Sequence, residues 1–295
     1  MNNQKRGSLF TAILQLGKIK ISVPVALTGF LGYFRASPEL DIYLLYTIFG
    51  ILFLSMGSST FNQIQERDID HKMQRTRNRP LPSGRISLSG AITAGIILSL
   101  SGLVMLILTK TWLAPLIGLI TMGWYNLVYT PLKKRTPFAV LPGAIIGALP
   151  PLIGWTAAGG DLLTKEIILI SFFLFIGQMP HYWLLLMKVG DEFSGAGLPV
   201  ITQLFSREQL RNISFIWIFA AAVFVVSFPA FGVITNNWLA YSMITVIILF
   251  LLRMFLLSFR GNIMEKWKSA FITVNLFYLF IILLLIADKF SSHYL

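Results

Sequence analysis

Apolar residues run along this chain in long unbroken stretches rather than in alternation. Nine stretches approach the twenty or so residues that carry a helix across a bilayer core. They are roughly 14–34, 42–61, 87–109, 112–129, 138–158, 166–187, 212–234, 238–259 and 269–287. Membrane strands would alternate over about ten residues instead. Lipid offers no partner to backbone amides, so each stretch must satisfy its own, and the pattern predicts nine helices. The first is the weakest, with Lys18 and Lys20 at its entrance. Arg253, near the end of the eighth, is expected to snorkel to the interface.

Composition agrees with that pattern. Of 295 residues, 56% are hydrophobic and only 12% charged, and the mean hydropathy is +0.74. A water-soluble or disordered chain is excluded, since neither could hide so much apolar surface. The chain has no cysteine, which removes disulfides, thiolate metal sites and a Cys nucleophile. No linker or shift in composition divides it, so it reads as one transmembrane domain over 1–295. The start, MNNQKRGSLFTAILQ, lacks a small-residue cleavage site and reads as mature protein.

The net charge of +12 would point to nucleic acid in a soluble protein. Sorting the basic residues by connection gives another reason for it. The N-terminal arm holds Lys5, Arg6, Lys18 and Lys20. Connection 2–3 holds Arg67, Lys72, Arg75, Arg77, Arg79 and Arg85, and connection 4–5 holds Lys133, Lys134 and Arg135. Connection 6–7 holds Lys188, Arg207 and Arg211. Connection 8–9 holds Arg260, Lys266 and Lys268, with Arg253 beside it. The opposite side has only Arg35, Lys110, Lys165 and Lys289, a split of twenty to four. Positive residues stay on the cytoplasmic side, so the N-terminus is expected inside and the C-terminus outside. No nucleic-acid partner is implied.

Connections 2–3 and 6–7 are the long ones, and both open with acidic residues. They lie four spans apart, which hints at an internal duplication, although no residue-level repeat supports it. If span two continues as a helix into the first of them, Asn62, Glu66 and Asp70 recur every four residues and share a face. Two carboxylates and an amide oxygen at that spacing repel one another unless a cation lies between them. Mg²⁺ is the natural choice, because it accepts few carboxylates and keeps positions for water and phosphate oxygens. Asp68 falls on another face. Arg75, Arg77 and Arg79 follow, before the helix-stopping Pro80-Leu81-Pro82. Guanidinium forks after a metal-holding face are what a diphosphate requires. A solvated interfacial loop explains Arg67, Lys72 and Arg77 equally well, and His71 reads as a bystander.

Asp191 and Glu192 leave span six at the corresponding position, and as adjacent residues they cannot both face one cavity on a helix. Gln178 and His181 lie within the apolar part of the same span. Either they serve a function or they bond to a neighbouring helix. Pro180 would kink that span. Lys133 and Lys134, in the short basic connection 4–5, are placed to complete a cationic lid, although topology alone also explains them. Gly143, Gly147, Pro150, Pro151 and Gly154 give span five a small face suited to close packing.

At these residues the chain resembles the UbiA superfamily of intramembrane prenyltransferases, whose Asn-x3-acid-x3-Asp pattern is met by Asn62, Glu66 and Asp70. The longer string of its haem-farnesylating branch is met by Met73, Arg75, Thr76, Arg79 and Pro80. Similarity to that branch continues through Tyr129-Thr130, Leu132-Lys133, residues 147–155, Pro180-His181-Tyr182-Trp183 and Gly197-Leu198-Pro199-Val200, covering about residues 15–205. The second acidic motif of the family reads Asp-Tyr, whereas this chain has Glu192-Phe193 with Asp191 one place earlier.

The resemblance implies an all-α fold of nine helices around a central cavity. It implies farnesyl diphosphate and haem B as substrates, and Mg²⁺ held by Asn62, Glu66, Asp70 and one or both of Asp191 and Glu192. Asn62, Glu66, Asp70 and Glu192 are the implied catalytic set, with Glu192 favoured as the second-site acid. Arg75, Arg79, Lys133 and Lys134 would bind the diphosphate, and His181 is a candidate haem contact. A bacterial plasma membrane, haem A synthase and a terminal oxidase are the implied setting and assembly partners. The alternatives are a 4-hydroxybenzoate or other quinone-precursor prenyltransferase and, in a different class, a transporter. The Met-x-Arg-Thr-x2-Arg-Pro string argues against the first. Acids gathered at one membrane face, not at mid-membrane, argue against the second.

Overall fold

The fold is taken from a computed structural model that describes residues 8–260 and 266–294, with the side chain of Tyr294 left aside. Lys5 and Arg6 of the basic arm lie outside the described residues. Helices account for every regular element among them: α1 Leu9–Leu16, α2 Ile19–Ala36, α3 Ile42–Lys72, α4 Leu88–Ile107, α5 Leu113–Gly123, α6 Thr130–Lys133, α7 Val140–Ala157, α8 Lys165–Gly195, α9 Arg207–Ala230, α10 Asn237–Phe255 and α11 Trp267–Tyr294. Seven helices are individually long and apolar enough to cross a membrane, or eight if the bent pair α1–α2 is one span. Large apolar side chains such as Phe49, Ile97, Leu100, Phe172 and Leu249 point outward, the surface of a protein dissolved in lipid.

Two of the expected helices differ from the pattern. The first stretch breaks at Gly17–Lys18, where α1 meets α2 at 57°. Lys18 takes a left-handed backbone there, φ +47°. The break is held by Gln63, whose amide donates to the carbonyls of Gln15 and Leu16, each at 2.8 Å. The fourth stretch is not one long α-helix. α5 gives way to a π-helical turn, Trp124–Tyr129, and then to the single turn α6. Pro131 has no amide to donate, and the Thr130 hydroxyl donates to the Tyr125 carbonyl at 2.8 Å, so the turn widens rather than continuing as α.

The long acidic connections begin as helix, and in the first of them this is the continuation on which the Asn62–Glu66–Asp70 spacing depends. α3 and α8 are each 31 residues long, about 46 Å at 1.5 Å per residue against a hydrocarbon core of about 30 Å. Both overshoot the membrane at their C-terminal ends and carry the acids out as ordered helix. α8 runs through Pro180, and α7 through Pro150 and Pro151, without interruption.

The N-terminal half packs around Tyr33, Leu54, Leu106 and Ile153. The C-terminal half packs around Phe173, Phe228, Phe250 and Phe277. The small face of α7 works in two directions. A Cβ on Gly154 would lie 1.8 Å from the Gly29 carbonyl oxygen, so α2 and α7 meet backbone to backbone. Lower on α7, Gly143 receives the Tyr129 ring and Gly147 the Gln178 amide. Arg253 bonds along α11, to Thr273 Oγ1 at 2.8 Å and Ser269 Oγ at 3.2 Å. These contacts leave the C-terminal ends of α3 and α8, α6 and the α1–α2 break gathered at one end of the bundle.

Candidate active site

Asn62, Glu66 and Asp70 do share a face of α3, and all three are buried, at 2%, 5% and 0% exposure. Their neighbours Arg67 and Asp68 are exposed and pair with each other. A buried acid needs a cation or several donors, and each member of the triplet has found one from a different part of the chain. The Lys18 ammonium donates to Asn62 Oδ1 at 2.6 Å, and the Asn62 amide donates on to Thr130 Oγ1 at 3.1 Å. Lys133 donates to Glu66 Oε1 at 3.1 Å. Arg79 donates to Asp70 Oδ2 at 2.6 Å, while the Thr76 hydroxyl donates to the Asp70 carbonyl. The chain after α3 therefore folds back over the acids it has just placed.

The second acidic position reaches the same place from α8. Glu192 Oε1 accepts the Arg75 amide at 2.8 Å, and its other oxygen lies 4.0 Å from Arg75 Nε. Asp191, one residue earlier, is exposed. Phe193 lies beneath two cations, Lys133 at 5.1 Å and Arg75 at 5.8 Å from the ring centroid. Burial, with the Arg79 guanidinium close by, pulls Arg75 below the ordinary arginine value. Lys18, Arg75, Arg79 and Lys133 thus surround Glu66, Asp70 and Glu192.

Asp70 is also incompletely satisfied. Its Oδ1 is buried and accepts no hydrogen bond, which is costly for a carboxylate oxygen unless something binds there. A hard divalent cation fits that oxygen, with Glu66 and Asn62 each one helical turn away from the next. Among the described residues, no three Asp, Glu or His side chains already converge as a closed metal cage.

Lys134 is turned elsewhere. It donates to the Gln65 carbonyl at 2.7 Å, beside an outward-facing groove of about 260 Å³ lined by Gln65, Thr130, Pro131, Lys134 and Arg135. His181 is about three turns above Glu192 on α8. It is half-buried, with its ring 4.7 Å from that of Phe271 on α11. Sequence pattern does not single out Lys18, whose only signal is a lysine inside an apolar run. Nor does it single out Tyr125, which stacks on Tyr129 at 5.6 Å to form an aromatic wall beside α6.

A model of the UbiA prenyltransferase family matches residues 22–282. The chain belongs to the UbiA prenyltransferase family. Among its UbiA relatives, a protein named protoheme IX farnesyltransferase from Geobacter sulfurreducens is 40% identical over 194 residues, 65% of this chain and 72% of that one. Another of that name, from Oleidesulfovibrio alaskensis, is 32% identical and spans 95% of this chain and 97% of its own. The fold is shared with solved UbiA structures. A digeranylgeranylglyceryl phosphate synthase superposes with a TM-score of 0.77 at 19% identity, over 96% of this chain and 99% of the other. A UbiA homolog from Archaeoglobus fulgidus bound to GPP and Mg²⁺ superposes at 0.67 and 18% identity, over 95% and 98%.

Proposed function

We propose that this UbiA-family prenyltransferase moves the farnesyl group of farnesyl diphosphate onto a vinyl group of haem B, yielding haem O and diphosphate. The single observation that carries the reading is the buried Asn62–Glu66–Asp70 face, ringed by cations and open at Asp70 Oδ1. The names of relatives spanning nearly the whole chain support haem as the acceptor.

Asp70, Glu66 and Asn62, with Glu192 opposite, are the residues that would hold Mg²⁺, while the neighbouring Asp191 is exposed. When bound there it would act as a Lewis acid on the diphosphate oxygens. Lys133, Arg79 and Arg75 neutralise charge gathering on the leaving diphosphate as the allylic C–O bond breaks, the step in which fixed cations gain most. Lys18 holds Asn62 in place, and Lys134 contributes at longer range. Tyr125 and Tyr129 offer ring faces to the farnesyl cation and help keep water away from it. The vinyl terminus attacks the cation. Water then adds to the carbon next to the porphyrin and loses a proton, leaving a hydroxyethylfarnesyl group. His181 is the candidate contact for the haem iron.

This reading takes 1–295 as one domain and counts nine crossings, with α1–α2 as the first and Leu113–Lys133 as the fourth. The site and N-terminus face the cytoplasm of a bacterium and the C-terminus lies outside. The twenty-to-four charge split supports the orientation. Haem A synthase or a terminal oxidase would take up the product. The test incubates membranes carrying the protein with haem B, farnesyl diphosphate and Mg²⁺ and analyses the haems by mass. Haem O should appear, and only with all three present. A prenylated quinone precursor, with haem unchanged, would replace the acceptor. A reporter fused after residue 295 should read extracytoplasmic, and the opposite result would discard nine crossings.

A further inference from the structure

α8 and α11 meet along a seam that the acid cluster does not use. At its tight end Gly177 admits the Tyr278 ring, where a Cβ would lie 2.7 Å from ring carbons. Two contacts follow toward the Glu192 end of α8. The His181 ring lies 4.7 Å from that of Phe271, and the Lys188 ammonium lies 4.5 Å from the centroid of Trp267. His181 and Lys188 are seven residues apart, two turns on the same side of α8 and about 10 Å along its axis. Phe271 and Trp267 are one turn apart on α11 and answer them in the same order. The seam thus presents an imidazole and an ammonium, each against an aromatic ring, at two levels.

Lys188 is exposed, and among the described residues its ammonium makes no hydrogen bond or ion pair. A ring face uses the charge of an ammonium but leaves N–H donors for an acceptor. One turn further on, Glu192 turns to the Arg75 amide instead. A planar macrocycle with carboxylates on one edge matches this spacing, its centre near His181 and a carboxylate reaching the lysine.

We infer that Lys188, held over Trp267, binds a propionate of the haem substrate and so orients the ring. The propionate and vinyl edges of haem lie on opposite sides of the macrocycle. An ion pair at one edge therefore decides which way the reacting edge points, and Lys188 is a positioning residue for the acceptor. The inference rests on haem being that acceptor.

The test compares haem B with its dimethyl ester, in which both propionates are uncharged, by Soret titration of the intact protein in detergent. Wild-type protein should bind the ester roughly three- to tenfold more weakly than haem B, the scale of one solvent-accessible hydrogen bond. Lys188→Gln should weaken haem B by the same factor and no longer distinguish the two, while Lys188→Arg restores discrimination. The KM for farnesyl diphosphate should not move in either variant. Undiminished discrimination in Lys188→Gln overturns the inference and leaves the haem reading intact. So does a defect in farnesyl diphosphate KM alone. Wild-type protein with no Soret response to haem B would overturn both.

Discussion

Each end of the bundle buries a cluster of charges, and the two clusters are built differently. At the Arg35 end the guanidinium is 3% exposed and meets acceptors on all its nitrogens. It bonds Glu166, Asp288 Oδ2 at 3.1 Å, and the carbonyls of Leu285 at 3.0 Å and Val233 at 2.7 Å. Asp288 in turn accepts the amides of Thr235 at 2.8 Å and Asn236 at 2.9 Å. This network joins α2, α8, α11 and the α9–α10 turn, tying the first long helix to the last. At the Asp70 end the acids have one cation each, and a carboxylate oxygen stays open. Burial is similar at the two ends, so burial does not separate a clasp from a site. Completeness of the hydrogen bonding does.

Breaking the clasp should have the largest effect. Arg35→Ala leaves the buried Asp288 and the half-buried Glu166 without their cation, which costs about 3–5 kcal/mol. Little monodisperse protein should survive size-exclusion in detergent, and a variant with a wild-type melting curve would remove the clasp from the comparison. The opposite end should respond in rate, not in folding. Glu66→Gln and Asp70→Asn should each lower turnover about 10²–10³-fold, the scale for one group that stabilises charge in the transition state. Their melting temperatures should stay near wild type, since each amide keeps the carboxylate's shape and an oxygen for Lys133 or Arg79. Near-normal haem O production in both would reduce the face to a structural one.

A smaller contrast sharpens the second acidic position. Glu192→Gln loses a charged acceptor of the Arg75 amide and should cost about tenfold in turnover, partly recovered with added Mg²⁺. Asp191→Asn should stay within about twofold, since the residue is exposed. Equal and severe losses would mean that both acids hold metal. A small effect on stability alone is expected on the clasp side, where the Tyr33 hydroxyl donates to Asp41 at 2.5 Å. Tyr33→Phe should cost about 1 kcal/mol, seen as a slightly lower melting temperature with turnover unchanged.

Much of this protein is legible one segment at a time. Membrane-crossing stretches can be read locally because lipid demands about twenty apolar residues in a row whatever the rest of the chain does. The acidic face of α3 is local too, since residues four apart on a helix must align. What tertiary structure alone decides is pairing. Lys18 finds Asn62 across 44 residues, Lys133 finds Glu66 across 67, and Arg35 finds Asp288 across 253. Nothing in the sequence near Arg35 separates a clasp from an interfacial charge, and nothing near Lys134 shows that its ammonium turns to Gln65 while Lys133 turns to Glu66. The reach of α3 and α8 beyond the membrane, and the π-turn that replaces a regular fourth helix, also depend on neighbours. Periodicity and hydropathy are properties of one helix in its solvent, whereas the partner of a buried charge is set by which helices pack together, and that exists only once the bundle has closed.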